Sequence, residues 1–457
     1  MIPLKSRTVA IILLWLSAMA PSFGRIDIKT ADSSIDLGVT TAGWMTTGQY
    51  RNLFSNSDKP IQLQWLQQEF LDFGVDAVIN KRIKVVGALE GEMWQNAPKG
   101  GASSQSYYVW RYNSTFIVDK AYGEYTFGDI NAPFLDITVG HFPFKYNPDV
   151  RNLGEYLFRS GTYPAYLINN FDEPFARLTG IKFSSDLAGR LHQDLIVSFA
   201  TDFPPYGDAS ISYIGNCSFG NLFNVGWGAQ WANLLSVDES QTTPENSVGN
   251  TDIMYVQNGD TGYYTFRGIK LMGRFSFDPK PLFPKTDLFG EEDCRLYGEA
   301  AILGLQSYPA NDSGSYATEG YSTQKNLWGY DTLAYKIPVV LGFNVPTFKL
   351  LDVLGAEVEW YGCKYPDNLA YVDGKGGSPS LPLPYHYVRQ PYDFDNWKWS
   401  IYAKKMFAHD HFGVIVQCAR DHSRLQSLQD DNAYYELEEA QTLPNQWYWM
   451  TKLVAQF

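Results

Sequence analysis

The chain has 457 residues, is 45% hydrophobic and 16% aromatic, and carries a formal net charge of -13. Nothing in that balance suggests a nucleic-acid partner, and four scattered cysteines with no CxxC pair make neither a metal framework nor a disulfide-dense scaffold. A mean hydropathy of -0.26 suits strands that interleave apolar and polar faces, a composition shared with secreted β-sandwiches and propellers.

Taken in chain order, Lys5 and Arg7 precede an uncharged apolar run over 8–20 and then Pro21-Ser22-Phe23-Gly24. This is the pattern of a secretion signal over residues 1–24, cut after Gly24. The apolar run is short for a membrane-spanning helix, which disfavours the alternative of an N-terminal anchor. No cysteine near the cut points to a lipoprotein, and no later stretch is apolar enough for a helical span.

Residues 25–457 read as strands. Ile35, Leu37, Val39 and Thr41 alternate with Asp36, Gly38 and Thr40, and a polar stretch over 45–60 follows. Leu71, Phe73, Val75 and Ala77 alternate with Asp72, Gly74 and Asp76; a tight turn at 80–82 leads to Ile83, Val85, Leu89 and Met93, interleaved with Lys84, Glu90 and Glu92. A Gly/Ser-rich loop at 96–105, a strand at 116–127, a short turn at 128–133 and a strand through Leu135, Ile137 and Val139 come next. After a long connection over 145–172, strands at 175–183 and around Leu195, Val197 and Phe199 flank a short turn at 184–190. In 202–236 the pattern is weaker: a strand at 209–214, a turn around Asn216 and a strand at 223–235. An acidic loop spans 237–261, a clear strand 266–277, and an unusually long turn 279–292. Strands at 295–305, 335–343, 351–362, 397–406, 412–420 and 446–457 complete the chain. Long connections (307–330, 364–394, 423–445) alternate with short ones (344–350, 407–411).

Connections that are alternately long and short place all long loops on one side of a sheet and all short turns on the other. With about sixteen strands (roughly 14–18), this predicts an all-β, transmembrane antiparallel β-barrel with short periplasmic turns and long extracellular loops. The last strand agrees: Trp447, Trp449, Leu453, Ala455 and Phe457 share one face, Tyr448, Met450, Lys452 and Gln456 the other. A soluble all-β protein leaves that alternation and the aromatic end unexplained. By the same parity Cys217 and Cys294 lie near short-turn ends and Cys363 near the opposite end, so one bridge or unpaired thiols both fit.

With its leader, its strands throughout, Phe457 after Gln456, and the passage Thr138-Val139-Gly140-His141-Phe142-Pro143-Phe144-Lys145, the chain resembles the porin-like outer-membrane proteins of Gram-negative bacteria. Where such proteins usually carry another aromatic two residues before the end, this one has Ala455. The resemblance implies an outer-membrane channel for passive diffusion of small hydrophilic solutes or ions, surrounded by lipid. It also implies recognition of the strand ending in Phe457 by the barrel-assembly machinery. Such barrels are often homotrimers. The runner-up is a non-conducting barrel that anchors the envelope or binds external polysaccharide.

In sixteen-stranded porins the loop after the fifth strand folds into the channel. The matching stretch here is 145–172, with Glu155, Tyr156, Arg159 and Tyr163 as candidate constriction residues. On a helix Glu155 and Arg159 would share a face and form an ion pair; the competing reading is an ordinary external loop folded by its own aromatics. Glu90 with Glu92, and Glu357 with Glu359, are two apart and so lie on one strand face. With Lys270, Arg274, Lys398 and Lys404 they are the candidate lumen charges, cheaper facing water than lipid. Carboxylate pairs also serve glycosidases, but a pair on one strand is more simply a solvated face. His409-Asp410-His411 falls in a short turn, and His422 beside Asp421 has no nucleophilic serine placed next to it, so no enzyme, metal or cofactor is expected. A first strand near Ile35 leaves no room for an N-terminal plug. Loss of the leader removes Lys5 and Arg7 and no acid, taking the formal charge from -13 to -15. With acidic outer loops at 237–261 and 429–439, that charge favours cations mildly.

Overall fold

The period-two alternation becomes, in a computed structural model, sixteen antiparallel strands closed edge to edge. They are β1 (Ser34–Asn52), β2 (Trp65–Ile79), β3 (Ile83–Asn96), β4 (Tyr112–Asp129), β5 (Ala132–Phe144), β6 (Ala176–Leu187), β7 (Leu191–Phe199) and β8 (Ala209–Phe219). Then follow β9 (Phe223–Ala232), β10 (Gly268–Phe277), β11 (Leu296–Leu303), β12 (Pro338–Asn344), β13 (Val353–Tyr361), β14 (Trp397–Phe407), β15 (Phe412–Arg420) and β16 (Gln446–Gln456). Each pairs with its sequence neighbour, and β16 closes on β1 from Ala42↔Gln456 to Asn52↔Gln446. A short strand, Ile26–Lys29, pairs with the foot of β1. The structure describes residues 26–29, 34–52, 65–96, 112–130, 132–160, 163–164, 176–187, 189–199, 209–232, 234, 253–257, 260–264, 268–284, 286–303, 337–361, 397–420, 422–423, 440–441 and 446–457; the expected leader and Cys363 lie outside them.

Closure leaves no strand edge and gives the wall two unlike faces. On β2, Leu71, Phe73 and Val75 are exposed outward, while Phe70 is buried on the inner side, which it shares with the half-buried Asp72 and Asp76. On β13, Val358 is exposed and its neighbours Glu357 and Glu359 are fully buried. An apolar exterior around a polar interior inverts the layering of a water-soluble protein.

The short turns gather at one rim. Asn80 and Lys81 have φ of 51° and 58°, and Ala408, His409 and Asp410 have φ of 53°, 57° and 67°, the left-handed backbone that tight reversals need. The exception is the turn over 278–295, which carries two single-turn 3-10 helices, Lys280–Leu282 and Thr286–Leu288. Phe457 lies at the same rim, exchanging backbone hydrogen bonds with Thr41 (2.7 and 3.0 Å). His411 stacks on it (ring centroids 5.4 Å apart) and its Nδ1 meets the Gln456 carbonyl at 2.9 Å. Cys217, Cys294 and Cys418 are free thiols.

Several strands run longer than their pattern suggested, among them β1 and β8. β1 continues to Asn52, through residues expected to form a polar connection, because both neighbours go on pairing with it. β8 reaches Phe219, so the reversal falls at 220–222, with Gly220 at φ 61°, and not at Asn216, which pairs with Gly226. In both cases ladder hydrogen bonds persist where apolar alternation has stopped.

Candidate functional site

After Phe144 the chain turns into the barrel. Residues 145–158 pack against the inner wall: Val150, Leu153, Tyr156 and Leu157 are completely buried and Phe158 nearly so. Their apolar partners are Phe142 and Phe144 on β5, Leu178 on β6, Ile196 on β7, Ile214 on β8, Met272 on β10, Tyr297 on β11 and Val340 on β12. Two glycines permit the approach. A Cβ at Gly228 on β9 would come within 2.5 Å of Leu157 Cδ1. Gly154, at φ 87°, leaves room for Val150 and for the Glu299 carboxylate, 2.9 and 3.2 Å from where its Cβ would be.

An irregular backbone buried this way must find acceptors for its N–H groups, and carboxylates supply them. Glu357 on β13 accepts from the N–H groups of Arg151 (2.5 Å), Asn152 (2.9 Å) and Leu153 (3.0 Å) and from the Tyr297 hydroxyl (2.9 Å). Glu299 on β11 accepts from the N–H groups of Glu155 (3.1 Å) and Tyr156 (2.9 Å), the Asn147 side-chain amide (2.8 Å) and the Tyr146 hydroxyl (2.5 Å). Glu155 itself accepts from the N–H groups of Asn147 (2.6 Å) and Tyr146 (3.4 Å). Glu359 accepts from the Tyr156 hydroxyl at 2.6 Å and meets Lys398 Nζ at 3.4 Å. Lys270 Nζ donates to the Leu157 carbonyl (3.2 Å) and Lys145 Nζ to the Val150 carbonyl (2.9 Å).

Further anchors fix the tip. Asn152 Oδ1 accepts from Gln417 Nε2 on β15 (2.8 Å), so the segment's contacts run along the inner wall from β5 as far as β15. At the short-turn rim Arg295 joins Asp149 (3.1 Å) to Glu292 (3.0 Å), and Arg151 meets Glu292 at 3.2 Å. Burial, and next the charge of Glu299, pushes the Glu155 carboxyl up to about 8. Burial, and then the charges of Glu299 and Glu155, push the Tyr146 phenol well above its ordinary value, which keeps it a donor.

The expected site residues therefore fall into groups. Glu155, Tyr156, Lys270, Glu357, Glu359 and Lys398 come together on the infolded segment and the wall behind it. Arg274 is buried on the same wall. Lys404, on β14, faces Val353 in the ladder. Glu90 belongs elsewhere: Arg177 on β6 reaches it at 2.8 Å and Asp119 on β4 at 2.7 Å, and Lys120 adds a 2.8 Å pair to Asp119. The side chain of Glu92 lies outside the described residues, as do those of Arg159 and Tyr163, whose backbones sit in a two-residue ladder, Arg159–Ser160 with Tyr163–Pro164. The segment forms no helix, and Glu155 sits at φ 60°, so the i,i+4 geometry for a Glu155–Arg159 pair does not arise.

Glu299, Tyr297, Tyr146, Asn147, Arg151, Asp119 and Arg177 were not foreseen. Glu299 had a signal: a lone acid in the otherwise uncharged strand Leu-Tyr-Gly-Glu-Ala-Ala-Ile-Leu.

Among known proteins, no family model and no curated sequence matches this chain. Solved structures similar to it include a double mutant of Rhodopseudomonas blastica porin, with 8% identity, a TM-score of 0.43, and 92% of this chain and 100% of that one covered. A triple mutant of the same porin aligns with 8% identity, a TM-score of 0.42 and the same coverage. The barrel assignment rests on the closed strand ladder itself.

Proposed function

We propose that this porin-like barrel is an outer-membrane porin, a water-filled passage for the passive diffusion of small hydrophilic solutes with a mild preference for cations. The observation that carries the reading is the course of residues 145–158, which run inside a closed barrel with an apolar exterior and a polar interior. An irregular segment tied inside a lumen narrows it, and narrowing selects solutes by size and charge. Glu155 and Tyr156 are struts of that constriction, and Arg159 and Tyr163 continue it. The chain's net negative charge supports the cation preference.

In this reading the short-turn rim faces the periplasm and residues 1–24 are the secretion signal. The β16 strand ending at Phe457 is the handle for barrel assembly, and a homotrimer is the assembly to look for. One observation favours the rival, a non-conducting barrel used for anchoring or polysaccharide binding: the infolded segment brings an apolar cluster into the lumen.

Single-channel recording of the purified protein in planar bilayers under a salt gradient separates the two. Stable open steps with a cation-side reversal potential are expected. A folded, heat-modifiable barrel that never conducts would overturn the channel reading in favour of its rival.

A further inference from the structure

We propose that the turns over 278–295 and 345–352 form one apolar platform that seats in the lipid headgroup–acyl boundary at the short-turn rim. The proposal rests on the membrane reading above and adds to it a surface outside the strands.

The two turns are built as a unit. Asp293 accepts from the N–H groups of Gly290 (2.8 Å), Thr347 (3.0 Å) and Phe348 (3.0 Å) and from the Thr347 hydroxyl (2.9 Å), so one carboxylate fastens the first turn to the second. Burial pushes that carboxyl up, but these four donors together hold it below its usual value. Phe289 stacks on Phe348 at 5.7 Å and packs against Phe283 at 5.4 Å. Lys280 folds its charge back onto the turn, meeting Asp278 at 3.2 Å and the Gly290 carbonyl at 3.1 Å.

Lys280 and Asp293 are thus turned inward, and apolar side chains stand exposed among the charges of Asp287, Glu291 and Lys349. Leu282, Leu288 and Leu350 are exposed by 66%, 56% and 78%. A turn bathed in water gains nothing from that arrangement, and the neighbouring tight turns, Asn80-Lys81-Arg82 and His409-Asp410-His411, are polar. Continuity identifies the occupant. Leu341, Phe343 and Val345 are exposed along the outer side of β12 and just below it, and the line runs on into Phe348 and Leu350. The platform is the lower margin of the apolar exterior, and what covers that exterior covers the platform. A surface of exposed leucines and aromatics interspersed with a few exposed charges suits the headgroup–acyl boundary, where both kinds of group find partners.

The test places the photoprobe p-benzoylphenylalanine singly at Leu282, Leu350, Val358 and His409 in the full chain, reconstituted in phosphatidylcholine vesicles. These side chains are exposed, and heat-modifiable migration verifies folding of each variant; Leu288 substitutes if a probe at Leu350 blocks assembly. Lipid adducts at 282 and 350 comparable to those at 358, and at least about tenfold above 409, are expected. Adducts at 358 but none at 282 and 350, or crosslinks from 282 and 350 to a second copy, would overturn the proposal and leave the membrane reading intact. Absence of lipid adducts at 358 as well would overturn both.

Discussion

Two sets of buried carboxylates face the inside of this barrel and are satisfied in opposite ways. Behind the infolded segment, Glu155, Glu299 and Glu357 accept hydrogen bonds from backbone N–H groups, phenols and one amide. Across β3, β4 and β6, Glu90 and Asp119 are held by the guanidinium of Arg177, with Lys120 beside Asp119. The first set does for an irregular backbone what a ladder does for a strand: carboxyl oxygens collect donors that water cannot reach. The second set neutralises charge with charge and ties together strands that are not neighbours. An inward-facing acid is therefore not by itself a charge that a solute meets.

Removing the cation on one side and an acceptor on the other separates the two roles. Arg177→Met is expected to have the largest effect, because it leaves Glu90 and Asp119 buried with their shared guanidinium gone. Breaking such a pair costs about 3–5 kcal/mol, read as a lower urea midpoint for loss of the heat-modifiable barrel. Glu357→Ala should act on the segment more than on the wall. Three backbone N–H groups lose their acceptor at roughly 1–3 kcal/mol each while they stay buried, and the segment escapes by moving into the lumen. Faster tryptic cleavage after Arg151, higher conductance and a near-normal urea midpoint are the expected signature. If E357A unfolds the barrel while R177M leaves it unchanged, the division of roles is reversed.

Tyr156→Phe is a finer cut. Its hydroxyl lies 2.6 Å from Glu359, which keeps Lys398 at 3.4 Å when the phenol goes. A hydrogen bond to a charged group contributes about 1.5–3 kcal/mol, so Y156F should loosen the segment less than E357A does. Tryptic half-life in the same assay orders the two variants.

Much of the wall was legible from the sequence because a barrel writes itself in a period of two: Leu71, Phe73 and Val75 against Asp72, Gly74 and Asp76 is a direct record of two solvents. The record fades where both faces are polar, as over 45–52, and there hydrogen bonding to β16 and β2 decides the structure, not side-chain chemistry. Parity also put Glu357 and Glu359 on one inward face. It could not say that the partner of Glu357 is the backbone of residues 151–153, more than two hundred positions away, since backbone donors leave no mark in a sequence. Arg177 was hidden for a related reason: its acids lie on strands that are not its neighbours.

The smallest effect expected per step is a titration. The Glu155 carboxyl is raised from 4.5 to about 8 by burial and then by the charge of Glu299. Raised above its unfolded value, it binds a proton more tightly when the segment is docked than when it is released. Docking is thus fully supported below about pH 4.5 and loses that support as the pH climbs through 8, by at most about 1.4 kcal/mol per pH unit. Tryptic protection of the segment should accordingly weaken from pH 6 to pH 9 in the native chain. Glu155→Gln keeps an oxygen for the N–H of Asn147, the shorter of its two bonds, but removes the titration, so its protection should be flat across the same range. An unchanged slope in E155Q would assign the pH dependence to another group. A native profile that strengthens with pH would mean that Glu155 docks as the anion, and that Lys145 and the backbone donors outweigh burial and Glu299.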